Sequence, residues 1–283
     1  MILAQIPELD NLLKNTLLED VGDGDHSALA CIPANALGKS HLLVKEDCVL
    51  AGIELAIRIF KMVDSRFEID VLLHDGDRAK KGDVAFYVSG PSQKMLTAER
   101  LVLNFMQRLS GVATQTARYV DALAGTKTKV LDTRKTTPGL RYLEKWAVAI
   151  GGGHNHRIGL FDMIMLKDNH VDFAGGIAQA IKTTHQYLEK TGRNLKIEIE
   201  TRNLIEVKEV LHVGGVDRIM LDNFNLEDTR AAVALINGRF ETESSGGITL
   251  QTIRSYADCG VDFVSVGALT HSVKSIDLSL KAI

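Results

Sequence analysis

Cysteine is scarce in this chain of 283 residues: Cys31, Cys48 and Cys259 lie far apart and none belongs to a CxxC pair. That excludes a disulfide framework and a zinc ribbon. No apolar run reaches the roughly 18 residues that would read as a membrane-spanning helix. The opening MILAQIPELDN has no basic region and meets acids early, unlike a secretory signal. An excess of positive charge is also missing: 33 Lys and Arg face 36 Asp and Glu, for a net charge of −3 and a pI near 6.3. Nucleic-acid binding, which calls for a basic face, is therefore not expected. Any cationic site must be local, and local charge suits a small anion. These absences together point to a cytoplasmic protein without nucleic-acid or membrane partners.

What is present is an ordinary globular mixture, 45% hydrophobic and 24% charged, long enough for one large α/β domain or a barrel plus a smaller domain. Residues 1–22 read as a helix starting near Pro7, a good first-turn residue. From Gly38 to about Gly90, LLVKEDCVLAG, FEIDVLL and DVAFYVSG read as strands, GIELAIRIFKMV as a helix, and DGDRAKKGD as a turn-rich connection. Residues 92–124 read as helical, with a break or bend expected at Ser110–Gly111. After Gly125 short apolar strands alternate with helical patterns: TKVLDTR, DMIMLKD, LKIEIE, DRIMLDN, RFETESSGG and DFVSVGA. Six such units predict a parallel sheet. Each strand ends in polar or small residues, and in parallel barrels functional groups gather at the carboxyl ends of the strands. A doubly wound sheet would concentrate them at one switch point. The expected fold is thus α/β: a parallel α/β barrel, TIM-like, over residues 116–271, with an N-terminal α+β domain over residues 1–115 that the tail 272–283 rejoins as a strand.

The densest chemistry lies in GGGHNHRIGLFDMIMLKDNH, Gly151 to His170, whose apolar stretch Leu160–Leu166 reads as buried. Arg134, Lys135, His156, Arg157 and Lys167 would share one rim. Fixed cations that close repel one another unless an anion joins them, and a guanidinium grips carboxylate or phosphate with two parallel bonds. His154, His156 and His170 are also of a type that binds zinc, although no third ligand is evident beside the HxH. Glu200 and Asp222 end neighbouring strands, where they would either hold magnesium together with phosphate oxygens or form salt bridges with the rim cations. Glu198 shares strand parity with Glu200, and Asp168 is a further carboxylate candidate. Ser245, Gly246 and Gly247, then Val266, Gly267 and Ala268, are small residues in the last two strand–helix loops, where barrels often cradle phosphate. The other reading of these loops is tight turns alone. The set as a whole fits a phosphorylated sugar beside a carboxylated co-substrate. Two rivals keep the same residues: an aldolase with Lys135 or Lys167 as Schiff base, and a non-catalytic phosphometabolite sensor.

DTRKTTPGLR, GGGHNHRIGLFDMIMLKDNH, EIET, LDNF, ESSGGI and SVGALTHS, with EDVGDGDHSA and RLSGVAT nearer the N-terminus, strongly resemble the quinolinate phosphoribosyltransferase family over nearly the whole chain. The resemblance implies an open α/β barrel with an α/β sandwich domain. It implies transfer of phosphoribose from 5-phosphoribosyl 1-pyrophosphate to quinolinate, with Mg2+, giving nicotinate mononucleotide, pyrophosphate and carbon dioxide on the route to NAD. Carried onto this chain, Arg134, His156, Arg157 and Lys167 would hold the quinolinate carboxylates, with Thr133 beside them. Lys135 would lie between quinolinate and the pyrophosphate. Glu200 and Asp222 would orient the ribose and the metal, and with Lys135 they form the expected catalytic set. Ser245, Gly246, Gly247, Val266, Gly267 and Ala268 would bind the 5-phosphate. Arg108 would be lent across a head-to-tail homodimer.

Overall fold

The computed structural model describes residues 3–283, so the first two residues of the expected N-terminal helix lie outside the described residues. In chain order the elements are α1 (Leu9–Val21), α2 (His26–Cys31), β1 (Leu37–Val44), β2 (Cys48–Val49), α3 (Ile53–Val63), β3 (Glu68–Val71), β4 (Arg78–Ala79), β5 (Val84–Pro91), α4 (Ser92–Ala122), β6 (Lys129–Leu131), α5 (Arg141–Ile150) and β7 (Ile164–Leu166). They continue with α6 (Asp168–Ala174), α7 (Ile177–Thr191), β8 (Ile197–Thr201), α8 (Leu204–Val213), β9 (Arg218–Asp222), α9 (Leu226–Ile236), β10 (Glu241–Ser245), α10 (Ile253–Ala257), β11 (Phe263–Ser265), α11 (Ala268–His271) and β12 (Leu278–Ala282). The chain divides into two compact units: one holds residues up to Ala117, Thr137–Gly152 and Ser272–Ile283, the other Arg118–Thr136 and Gly153–His271.

The first unit is built on an antiparallel sheet of order β12-β1-β5-β3, and the tail pairs with β1 from Ser40↔Ala282 to Val44↔Leu278. Alternation along β1 buries Ser40, Leu42 and Val44 on one face. Helix α3 turns Ile53, Ala56, Ile59 and Phe60 inward, and Phe60 meets Phe67 and Phe86 at ring-centroid distances of 5.3 and 6.2 Å. Asp75 accepts the N–H groups of Gly52, Ile53 and Glu54 at 2.5, 2.9 and 3.1 Å, which satisfies the first donors of α3. The loop read as turn-rich contains the short strand β4, which pairs with β2.

Two local expectations need correction. Helix α1 starts at Leu9, not at Pro7, because Glu8 adopts a left-handed conformation (φ 55°) that no helix continues through. Helix α4 runs unbroken over 31 residues through Ser110 and Gly111. Gly111 serves packing there: a Cβ at that position would stand 2.4 Å from the Lys274 carbonyl oxygen. Beside it the Ser110 hydroxyl donates to Ala51 O and accepts from Ala51 N, so both residues bind neighbouring chain without bending the helix.

The second unit is a six-stranded parallel sheet of order β6-β11-β10-β9-β8-β7, clothed by helices. Every residue of β8 is buried, as expected of a parallel strand covered on both faces. Asn203 and Asn225 cap α8 and α9 by accepting N–H groups of the first turn, so each strand–helix connection ends on a helix start. Strands β6 and β7 are the two edges, and no ladder joins them among the described residues: the barrel is open. A single parallel bridge, Leu131↔His154, begins to fill that seam.

Gly111→Ala should destabilise the protein by about 1–3 kcal/mol, since the added methyl meets backbone rather than a movable side chain. Urea unfolding of the variant against the parent measures this.

Candidate active site

Parity along the strands decides what reaches the barrel interior. Glu198 and Glu200 of β8, Arg218, Met220 and Asp222 of β9, and Glu243 and Ser245 of β10 alternate with buried residues of the other face, apolar on β8 and β9 (Ile197, Ile199, Ile219, Leu221) and hydroxyl-bearing on β10 (Thr242, Ser244). The register sets Glu200 beside Met220 and Ser245 beside Asp222. The strands therefore form layers, and the uppermost opens into a cavity of about 760 Å³.

Thr133, Arg134, Lys135, His156, Arg157, Lys167, Glu200, Asp222, Ser245, Gly246, Gly247, Val266, Gly267 and Ala268 all line this cavity. Arg108 does not. In the first unit its guanidinium donates to Glu144 Oε1 at 2.7 Å, to Thr137 Oγ1 at 3.3 Å and to the Val273 carbonyl at 3.4 Å. Asp168 also lies apart: it accepts the N–H of Asn169 in the first turn of α6. Leu160 and Phe161 are exposed, so of the stretch expected to be buried only Met165 and Leu166 enter the core.

Arg134 and Arg157 make the cationic side of the cavity. Arg134 Nε is buried without a hydrogen-bond partner, a costly state for a charged donor. Arg157 donates to Met163 O at 3.3 Å and approaches Met165 Sδ at 3.6 Å, both weak partners for a guanidinium. Burial and the neighbouring Arg134 charge hold the Arg157 pKa below its ordinary value. A carboxylate between the two arginines would relieve both strains. Lys167 Nζ donates to Glu200 Oε2 at 3.1 Å, and Asn223 donates to Asp222 Oδ2 at 2.7 Å. Each carboxylate keeps its second oxygen for a ligand, the few-protein-ligand arrangement that suits hydrated magnesium with phosphate oxygens.

The opposite side is made of backbone. Gly246 and Gly247 have φ of 94° and 59°, and a Cβ on Gly246 would fall 2.1 Å from Asn223 Oδ1. At Gly267 a Cβ would crowd the Lys135 side chain at 3.1 Å and the His271 ring at 3.0 Å. Small residues are thus required where Asn223 and Lys135 pass close to the loops. The Thr133 hydroxyl accepts the Lys135 N–H at 3.0 Å, and Thr270 donates to Lys135 O at 2.8 Å, holding that residue's backbone from both sides.

His156, expected to grip a carboxylate, lines the same cavity, and both of its ring nitrogens have protein neighbours. Nδ1 accepts the Arg157 N–H at 2.7 Å. Nε2 lies 3.0 Å from Glu198 Oε2 and 3.4 Å from Glu243 Oε2, as an electrostatic contact rather than a well-aligned hydrogen bond. Arg218 completes the group, 2.9 Å from Glu243 and 3.9 Å from Glu198. Burial opposes the imidazolium, yet the two carboxylates outweigh it and lift His156 to about 9. Burial and the Glu243 charge push Glu198 up to about 7. On its other edge Arg218 donates to Glu241 Oε2 at 3.1 and 3.2 Å, so three carboxylates share this guanidinium.

The zinc reading of the HxH pair finds no support in this arrangement. His154 is exposed, and His170 Nδ1 accepts the Lys167 N–H at 2.9 Å. The group of metal-ligating type among the described residues is instead His156, Glu198 and Glu243, and there the Arg218 guanidinium already supplies the cation. Neither Arg218 nor Glu243 was singled out as a site residue from sequence. The signal that could have found them is parity, which aligns Glu198, Arg218 and Glu243 with the inward-facing Glu200, Asp222 and Ser245.

Comparison with known proteins points the same way. Two family models match the chain, described as quinolinate phosphoribosyl transferase, N-terminal domain, over residues 25–110, and quinolinate phosphoribosyl transferase, C-terminal domain, over residues 112–281. The chain is 47% identical to a chloroplastic nicotinate-nucleotide pyrophosphorylase (carboxylating) of Arabidopsis thaliana, over 97% of this chain and 82% of that protein. It is 40% identical to a probable nicotinate-nucleotide pyrophosphorylase (carboxylating) of Bacillus subtilis, over 96% of this chain and 93% of that one. The crystal structure of NadC from Streptococcus pyogenes superposes with a TM-score of 0.93 at 42% identity, covering 98% of this chain and 97% of that one.

Gly246→Ala should weaken binding of a phosphorylated ligand by about tenfold or more, because the methyl displaces Asn223 and requires a strained backbone. Titration calorimetry with a sugar phosphate measures the loss. Unchanged affinity would remove this loop from the site.

Proposed function

The chain belongs to the quinolinate phosphoribosyltransferase family, and from that premise we propose that it transfers phosphoribose from 5-phosphoribosyl 1-pyrophosphate to quinolinate, with loss of carbon dioxide, yielding nicotinate mononucleotide for NAD synthesis. One observation carries the assignment of the acid pocket: Arg134 and Arg157 both line the cavity, and Arg134 Nε is buried with no protein hydrogen-bond partner. Arg134, Arg157 and Lys167 grip the two carboxylates of quinolinate. The small-residue loops from Ser245 to Gly247 and from Val266 to Ala268 receive the 5-phosphate.

Holding both substrates in one cavity removes much of the entropic barrier to their reaction. The ring nitrogen of quinolinate attacks the anomeric carbon as pyrophosphate leaves. Positive charge grows on the ribose, where the Glu200 and Asp222 carboxylates stabilise it from preset positions. Lys135 meets the leaving pyrophosphate. Glu200 and Asp222 also fit a magnesium ion, which when bound neutralises pyrophosphate charge. The alkylated ring nitrogen is cationic and draws in the electron pair left when the 2-carboxylate departs, so no covalent nucleophile is needed. That distinguishes the reading from a Schiff-base aldolase, which needs a lysine of lowered pKa.

The same reading makes the protein a cytoplasmic homodimer in which Arg108 completes the partner's cavity. The family resemblance supports this arrangement. Every nitrogen of Arg108 already has an internal partner, so the exchange must release Glu144.

Quinolinate labelled in its 2-carboxylate should release labelled gas only when the sugar pyrophosphate and magnesium are both present, and EDTA should stop it. Arg134→Ala should raise the KM for quinolinate by about tenfold or more, as expected for loss of a charge-assisted pair. Gas release at the parent rate in that variant would end the carboxylate assignment. Mixing Arg108→Ala with Arg134→Ala subunits should restore roughly a quarter of the parent activity, since half the dimers are mixed and each carries one sound site. No recovery in a dimer shown to exchange subunits would end the shared-site arrangement.

A further inference from the structure

The open seam between β6 and β7 must be filled by something other than a strand. Residues 154–157 fill it. His154 joins β6, with His154 N donating to Val130 O at 2.9 Å and Asp132 N to His154 O at 3.1 Å. The Asp132 carboxylate then takes the His156 N–H at 2.9 Å and the Asn155 side chain at 2.7 Å. On the β7 side the Arg157 side chain contacts Met165 of that strand and the Met163 carbonyl just before it. A segment anchored by a ladder on one side alone needs a further restraint to place a guanidinium accurately.

That restraint crosses the barrel interior. The His156 ring reaches Glu198 on β8, the strand next to β7, and Glu243 on β10, which pairs with neither edge strand. Arg218 of β9 lies between the two carboxylates and stacks over the Phe263 ring at 4.0 Å. On its other edge the ring accepts the Arg157 N–H, so its orientation passes directly to the backbone of the residue that faces the acid. Three carboxylate oxygens of this layer, both of Glu198 and Oε1 of Glu243, are buried without a well-formed hydrogen bond. Packing alone would favour apolar residues at such positions.

We infer that Glu198, Glu243 and Arg218 are positioning residues for the quinolinate pocket: through the His156 ring they pin residues 154–157 across the open seam and so set where the Arg157 guanidinium stands. The inference rests on the proposed function.

The test compares Glu243→Gln, His156→Asn and the double variant with the parent, measuring KM for each substrate, melting temperature and direct quinolinate binding by calorimetry. Each single variant should raise the quinolinate KM on the order of ten- to a hundred-fold, the scale of misplacing a substrate-holding group. The KM for 5-phosphoribosyl 1-pyrophosphate should stay within about twofold. The double variant should be little worse than the worse single one, because the two residues act through one contact. If Glu243→Gln does not fold, Arg218→Lys, which keeps the charge but loses the fork, should give the same split between the two KM values. A parent-like quinolinate KM in the folded carboxylate or Arg218 variant would overturn the inference. So would a rise of both KM values together with a lower melting temperature, or stoichiometric metal in the purified protein that His156→Asn removes. A parent protein that binds no quinolinate would instead sink the proposed function.

Discussion

Two guanidinium charges held close together set the terms for this protein. Arg134 and Arg157 stand at the mouth of a six-stranded parallel sheet, one with a buried donor left unpaired and the other with only a carbonyl and a thioether to bind. Such a pair is unfavourable in the absence of a ligand and becomes favourable when a carboxylate enters. The glycines at 246, 247 and 267 keep the opposite wall free of side chains. Deeper in the barrel the Arg218 guanidinium is shared by Glu198, Glu241 and Glu243.

Much of this was legible in the residues. The six apolar segments after Gly125 are strands β6 to β11, and the polar groups at their ends meet in one cavity. That worked because parallel strands covered on both faces read as short apolar runs, with the functional residues immediately after them. The strands and helix of the first unit were visible as apolar segments set apart by a turn-rich connection, and the tail as a strand that rejoins them. The carboxylates Glu200 and Asp222 could be placed together from strand endings alone.

Other features were hidden for identifiable reasons. Gly111 looks like a helix break because glycine is a poor helix former; only the proximity of the Lys274 carbonyl reveals that the missing side chain is needed for close packing. Leu160 and Phe161 look buried because they are apolar, yet they belong to an irregular loop before β7 and carry no periodicity to decide their side. His156 has the chemistry of an anion ligand, and its true partners, Glu198 and Glu243, are some 40 and 90 positions away, on strands whose depth in the barrel is not written in local sequence. Arg108 shows the same limit: nothing nearby announces that Glu144 holds it.

The pairing of β12 with β1 has a consequence for how the chain reaches this state. The sheet of the first unit has its outer strand supplied from Leu278–Ala282, after all of the second unit. During synthesis β1 therefore emerges with one edge bare and stays so while more than half of the polypeptide is still being made. An unpaired edge is a template for wrong partners. Lys39 and the half-buried His41 on that strand place polar side chains along the waiting edge, a modest safeguard until the late-made strand arrives.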